Sequence, residues 1–191
     1  MIIEYRETVK SDFQGTIIDV ETIGEFVRAY RNSRRYKAIQ LVIFGFVNRN
    51  ALQIFCAEGE GSINELKEEA SKIISGLERP FYAFNSEFER GVLFHNLGMK
   101  IDFAGELQRY KFEPKVEVVR ELGIPNYDDP FFDNGRLCTD AWRKREFNRA
   151  IAHNRACLLK ERDILSKRGF RDPDELYFVE GGEYGCETSG N

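Results

Sequence analysis

Two acids, Asp19 and Glu21, stand two residues apart in the segment Gln14-Gly-Thr-Ile-Ile-Asp-Val-Glu-Thr-Ile. The β-branched neighbours Ile17, Ile18 and Val20 make this segment a strand, and on a strand the spacing sends both carboxylates to one face. Two anions held side by side call for a cation. Hard oxygen ligands suit Mg²⁺ or Mn²⁺, and a divalent pair about 4 Å apart stabilises both the attacking and the leaving oxygen of phosphodiester hydrolysis. An Asp-x-Glu pair is common, so its weight depends on what the rest of the chain brings to it.

Local patterns give the scaffold around these acids. Tyr36 to Val47 is a second apolar strand, and Asn48-Arg-Asn turns it back into Ala51-Leu-Gln-Ile-Phe-Cys as a hairpin. Ser62, with Glu65 at the capping-box position, opens a helix carrying Leu66, Ala70, Ile73, Ile74 and Leu77 at helical spacing, which Pro80 ends. Phe81-Tyr-Ala-Phe-Asn is a short buried strand, and Ser86 to Leu97 a helix closed by Gly98 in a left-handed cap. Asn126 to Gly135 reads as a turn-rich loop. Ala141 to Lys167 regains helical periodicity as two helices meeting near Arg149. A three-strand meander followed by helix, strand and helices predicts an α/β fold, a mixed sheet flanked by helices. Residues 1–180 form one domain in this reading, and 181–191 a flexible tail.

A third acid, Glu89, lies in Asn85-Ser-Glu-Phe-Glu-Arg, which opens the second helix. Taken alone it is a favourable charge in a first helical turn, worth about 0.3–1 kcal/mol. Taken with Ile18-Asp-Val-Glu-Thr, it resembles the DEDD (DnaQ-like) exonuclease superfamily, which has D-x-E on its first strand and N-x-x-F-D opening a later helix. Glu89 stands where that pattern has Asp. The superfamily also has a late helix with His or Tyr ahead of a final Asp, and Ala152-His-Asn-Arg-Ala-Cys-Leu-Leu resembles it with Cys157 at the Asp position.

The resemblance covers roughly Gly15 to Leu165. It implies an RNase H-like fold, bound Mg²⁺ or Mn²⁺, and removal of nucleotides in the 3′–5′ direction from an end of single-stranded DNA or RNA, with DNA preferred. Asp19, Glu21 and Glu89 would be metal ligands, and His153 would orient or deprotonate the attacking water. Because sulfur is a poor ligand for Mg²⁺, the place of Cys157 leaves three arrangements. Cys157 is a spectator, Glu161 substitutes from the next turn, or Asp140 enters from the preceding segment. Glu161 is preferred, since it stands on the helix face shared by His153 and Cys157. Two other readings keep the fold: a member that binds nucleic acid without cutting it, and an endonuclease.

Net charge is −4, but from Ala141 to Arg171 ten Lys or Arg face three acids, so a basic surface sits on an acidic body. Arg143, Lys144, Arg145, Arg149, Arg155 and Arg162 surround the late-helix motif as phosphate contacts, and Arg31 to Lys37 is a second basic group. Asn85, Phe88 and Asn154 join the nucleic-acid-binding set. Phe84, Phe131 and Phe132 are candidates to stack on bases, the last two favoured because their segment is loop-like. His95 reads as a helix-end residue. The first residues, Met1-Ile-Ile-Glu-Tyr-Arg, lack the apolar run of a signal peptide and no stretch approaches a membrane span, so a cytoplasmic location without membrane partners is expected. Four dispersed cysteines predict free thiols. A homo-oligomer is compatible with the sequence, and no pattern marks its interface.

Overall fold

In the computed structural model, which describes residues 1–179, alternating half-buried Ile3 and Tyr5 and exposed Glu4 and Arg6 make an amphipathic first strand, β1 (Ile2–Thr8). The next three strands come from largely apolar runs that are mostly buried, interrupted in β2 by Asp19 and Glu21. They are β2 (Thr16–Gly24), β3 (Ile39–Asn48) and β4 (Ala51–Ala57). After α1 (Ile63–Gly76) come β5 (Phe81–Ala83), α2 (Ser86–Leu97), β6 (Phe103–Glu106) and three further helices. These are α3 (Lys115–Glu121), α4 (Gly135–Arg143) and α5 (Phe147–Arg168).

The strands form one six-stranded sheet in the order β1-β4-β3-β2-β5-β6. The β2–β3–β4 meander expected from sequence is present, with β1 antiparallel on β4 and with β5 and β6 parallel beyond β2. This is the α/β mixed sheet flanked by helices, and it is compatible with an RNase H-like arrangement. α5 packs across β2, β3 and β4, while α1 packs on β3 and β4 and α2 on β3 without packing on α5, so the sheet lies between them. β2 is therefore the strand at which antiparallel pairing on one side gives way to parallel pairing on the other. Crevices at the carboxyl ends of strands commonly open at such a switch in strand order.

Several local expectations are corrected. Ser62 precedes α1 but does not cap it. Its hydroxyl accepts the amino group of Met1 at 2.7 Å, which leaves none of the capping-box geometry. The last two helices meet at Lys144–Glu146 rather than at Arg149, because Arg145 adopts φ 64°, a left-handed turn made without glycine. Gly98 closes α2 at φ 68° as expected. Cys56, Cys138 and Cys157 are buried free thiols. Cys186 and the expected tail at 181–191 lie outside the described residues. Among the described residues no helix is long and apolar enough to cross a membrane.

Candidate active site

Asp19 and Glu21 leave β2 on the side covered by α5. Asn154 of α5 donates its amide N–H to Asp19 Oδ2 at 2.6 Å, and His153 Nε2 lies 3.5 Å from Glu21 Oε1. Two features of β3 make this approach possible. Gly45 pairs with Asp19, and a Cβ on it would stand 2.1 Å from Asn154 Oδ1, so only glycine leaves room for the amide. Glu21 pairs with Ile43 but Thr22 with Leu41, so Val42 is an extra, unpaired residue. The bulge bends the pair of strands immediately after the second acid.

Glu89 arrives from the other side of the crevice. Asn85 caps α2, its side-chain oxygen accepting the Phe88 N–H at 3.3 Å, and this fixes the first turn that carries Glu89. Glu89 is only 4% exposed, and its Oε2 has no hydrogen-bond partner among the described residues. A dipole contribution of about 0.3–1 kcal/mol is too small to offset burying an ionised carboxylate without a partner, which costs several kcal/mol. The helix dipole therefore does not account for Glu89. It lines one pocket with Asp19, Glu21, Phe84, Asn85, Phe88, Lys115, His153 and Cys157.

His153 is held from both ends. Nδ1 lies 2.8 Å from Asp129 Oδ1, and Nε2 faces Glu21 and, at 3.7 Å, the Cys157 sulfur. Burial opposes its charge, yet the Cys157 sulfur, the Glu21 carboxylate and the Asp129 hydrogen bond push its pKa up to about 11. With Nδ1 at Asp129 and Nε2 beside Glu21, the arrangement suits the orienting job expected of His153. Asp129, in sequence merely one residue of a loop, is the hub here. It also accepts the N–H groups of Phe131 and Asp133 and the buried Lys160 ammonium at 2.8 Å. The signal available was an Asp followed by Pro, a turn-forming pair, but its partners are distant in sequence.

Other expected residues are redistributed. Glu161 is fully buried behind Lys115, with Oε1 2.5 Å from Nζ, and it does not line the pocket. Asp140 lines a neighbouring groove instead. The compact potential ligand groups among the described residues are Asp19/Glu21/Cys157, Glu21/Cys138/His153 and Asp129/His153/Cys157, each with ligand atoms within 4.8 Å of one another. Neither Glu89 nor Glu161 belongs to one, so Asp19 and Glu21 are the acids already at the spacing of a single ion.

Burial pushes Glu21 up to about 7 against the pull of His153, with repulsion from Asp19 adding to the rise. Burial likewise pushes Glu161 up to about 8 against Lys115, and lifts Glu89 well above its usual range with help from Asp19 and Glu161. Burial raises the Cys157 thiol against the pull of Lys115 and His153, and sulfur suits a spectator better than a ligand for a hard ion. The site could hold a metal ion: its carboxylates are buried, Glu89 Oε2 is without a partner among the described residues, and a cation would relieve the repulsion between the acids.

These acids bind protons more tightly in the folded chain, so the stability they lend is complete below their unfolded pKa of about 4.3 and is lost as pH rises toward 7–8. In chelator the melting temperature is expected to fall between pH 5 and 8. Mn²⁺ should restore it, with a larger upward shift at pH 8 than at pH 5, because metal must displace the protons. Melting curves at the two pH values, with and without metal, check this.

A groove of about 730 Å³ continues from the pocket, sharing Val20, Glu21, Phe88 and Gly135 with it. Its rim carries Arg28, Arg136 and Arg143, with Phe26 exposed beside them. Of the expected basic residues only Arg143 lines it. Lys144 is exposed in the turn after α4, Arg145 lines a separate recess near Gly59, and Arg149 pairs with Glu146 at 2.5 Å. Arg155 clamps Glu7 of β1 with contacts of 2.5 and 2.9 Å, and Arg162 holds Asp163 and Tyr127, so neither faces the acids. Arg31 and Arg35 line a further recess with Arg28 and Lys111. Phe131 is buried between His153 and Arg149 and cannot stack on a base, whereas Phe132 is exposed. His95 stays outside the site at the end of α2. Arg136 gives no signal in the sequence, where it is an isolated arginine, and Arg28 lies just ahead of the Arg31 to Lys37 group. No protein-family model, curated protein or solved structure matches the chain, which leaves the geometry of the site as the ground for a function.

Proposed function

We propose that the chain is a metal-dependent phosphodiester hydrolase that removes nucleotides from the 3′ end of single-stranded nucleic acid, DNA preferred. The observation that carries this reading is the convergence of Asp19, Glu21 and the unpartnered Glu89 oxygen on one pocket that opens into an arginine-rimmed groove. Direction and preference for DNA come from the sequence resemblance.

Asp19 and Glu21, with Glu89 opposite, would hold Mg²⁺ or Mn²⁺, which when bound activates water and stabilises charge developing on the phosphate. The chain's own groups do the rest. Asn154 fixes the Asp19 carboxylate, and His153, itself fixed by Asp129, orients Glu21. Arg28, Arg136 and Arg143 bind backbone phosphates without regard to sequence. Phe26 and Phe88 offer ring faces to unpaired bases.

A linear strand labelled at its 5′ end should shorten stepwise in Mg²⁺ or Mn²⁺ while a circular strand of the same sequence stays whole. Cutting of the circle would instead select an endonuclease. One further reading has a specific observation behind it: Cys157 at the acid position and Lys115 among the acids favour a member that binds strands without cutting. Retardation of the strand with no nucleotide released at any metal concentration would select that.

A further inference from the structure

We infer that the Lys115 ammonium takes the place of one of two catalytic cations, so that the centre takes a single divalent ion; this rests on the metal-dependent reading above. Lys115 begins α3, directly after Pro114, and its side chain is 16% exposed on the wall of the acidic pocket. Its Nζ lies 2.5 Å from Glu161 Oε1, 3.7 Å from Asp19 Oδ1 and 5.1 Å from the centre of the Phe84 ring.

Three observations make this more than a surface ion pair. First, Glu161 is fully buried, and Lys115 donates to its Oε1 while Oε2 is left unpartnered among the described residues. A buried carboxylate of this kind acts as an anchor that keeps the ammonium over Asp19. Second, Asp19 is shared: Asn154 takes Oδ2, and Lys115 faces Oδ1, the oxygen a second ion would need. Third, where α5 lines the pocket it presents the His153 ring and the Cys157 sulfur, a poor ligand for a hard ion, rather than a carboxylate. The pocket thus has one anion fewer and one fixed cation more than a two-ion site needs, and a second divalent ion beside an ammonium would meet strong repulsion at short range. The anchored ammonium instead supplies positive charge toward the phosphate without exchanging with solvent.

Counting Mn²⁺ tests this directly. The wild-type chain should bind one Mn²⁺ per chain by calorimetric titration, with the six-line resonance of an isolated ion. Lys115→Met should bind two, close enough for their spins to couple, and its melting temperature should rise more on adding Mn²⁺ than that of the wild type. Lys115→Arg should keep one. Two ions in the wild type, or one in a folded Lys115→Met, overturns the inference while leaving the metal-dependent reading intact. No bound Mn²⁺ in the wild type overturns both, and the wild-type count decides even if Lys115→Met does not fold.

Discussion

Changing Asp19 to alanine is expected to abolish metal-dependent release of nucleotides while leaving a folded chain. Polarisation of a phosphoryl oxygen by a bound ion is worth several kcal/mol, so losing the ligand common to the site should slow hydrolysis about a thousandfold or more. The fold should survive for a local reason. Lys115 keeps its 2.5 Å contact with Glu161, and one negative charge leaves a buried cluster in which Asp19 repels Glu21, Glu89 and Glu161. Release of label from the end of a single strand measures the first effect. Melting curves with and without Mn²⁺ measure the second, and the variant should lose the upward shift that metal gives the wild type. Undiminished release by the variant would remove Asp19 from the chemistry.

Asp129→Asn should have the largest effect on stability. Asp129 is 2% exposed and accepts four hydrogen bonds, from His153, Lys160 and the backbone N–H groups of Phe131 and Asp133. Removing its charge leaves the fully buried Lys160 ammonium with Asp133 as its remaining carboxylate and the His153 ring with Glu21 and the Cys157 sulfur at its other nitrogen. Breaking one side of such a buried network costs about 3–5 kcal/mol. Burial works against the Asp129 charge, but the His153 hydrogen bond and charge and the Lys160 ammonium outweigh it and hold the carboxyl below its usual range. A depressed pKa gives stability that is present above the unfolded value of about 3.9 and is lost as pH falls below it. The gap between wild type and variant should therefore be full at pH 7 and shrink below about pH 4. Urea unfolding at the two pH values tests this; an equal gap at both would mean that the charge is not what matters. Nucleotide release should fall too, because His153 would no longer be held against Glu21.

The parts of this site that are legible in the sequence are those encoded over a few residues. Period-two apolar residues place Asp19 and Glu21 on one strand face, and an Asn cap with Gly98 at the far end bounds the helix that carries Glu89. The parts that are not legible depend on pairing across the chain. Lys115 is an ordinary lysine until α3 sets it beside Asp19 and Glu161, and Asp129 finds His153 and Lys160 only after a loop has folded over α5. The expected basic residues scatter over the structure for the same reason. A run of arginines on a long helix points in every direction, and Arg155 braces β1 through Glu7. β1 itself escapes notice because an edge strand with charges on alternate positions has too little apolar content to stand out.

The bond between Asn154 and Asp19 joins positions 135 residues apart. The acid pair therefore depends on an amide and an imidazole from a segment far from it in the chain. Until α5 docks, Asp19, Glu21 and Glu89 have neither their wall nor their partners, and water can reach all three. Docking α5 on the sheet and completing the site are thus one event, the slow kind of closure that long sequence separation brings.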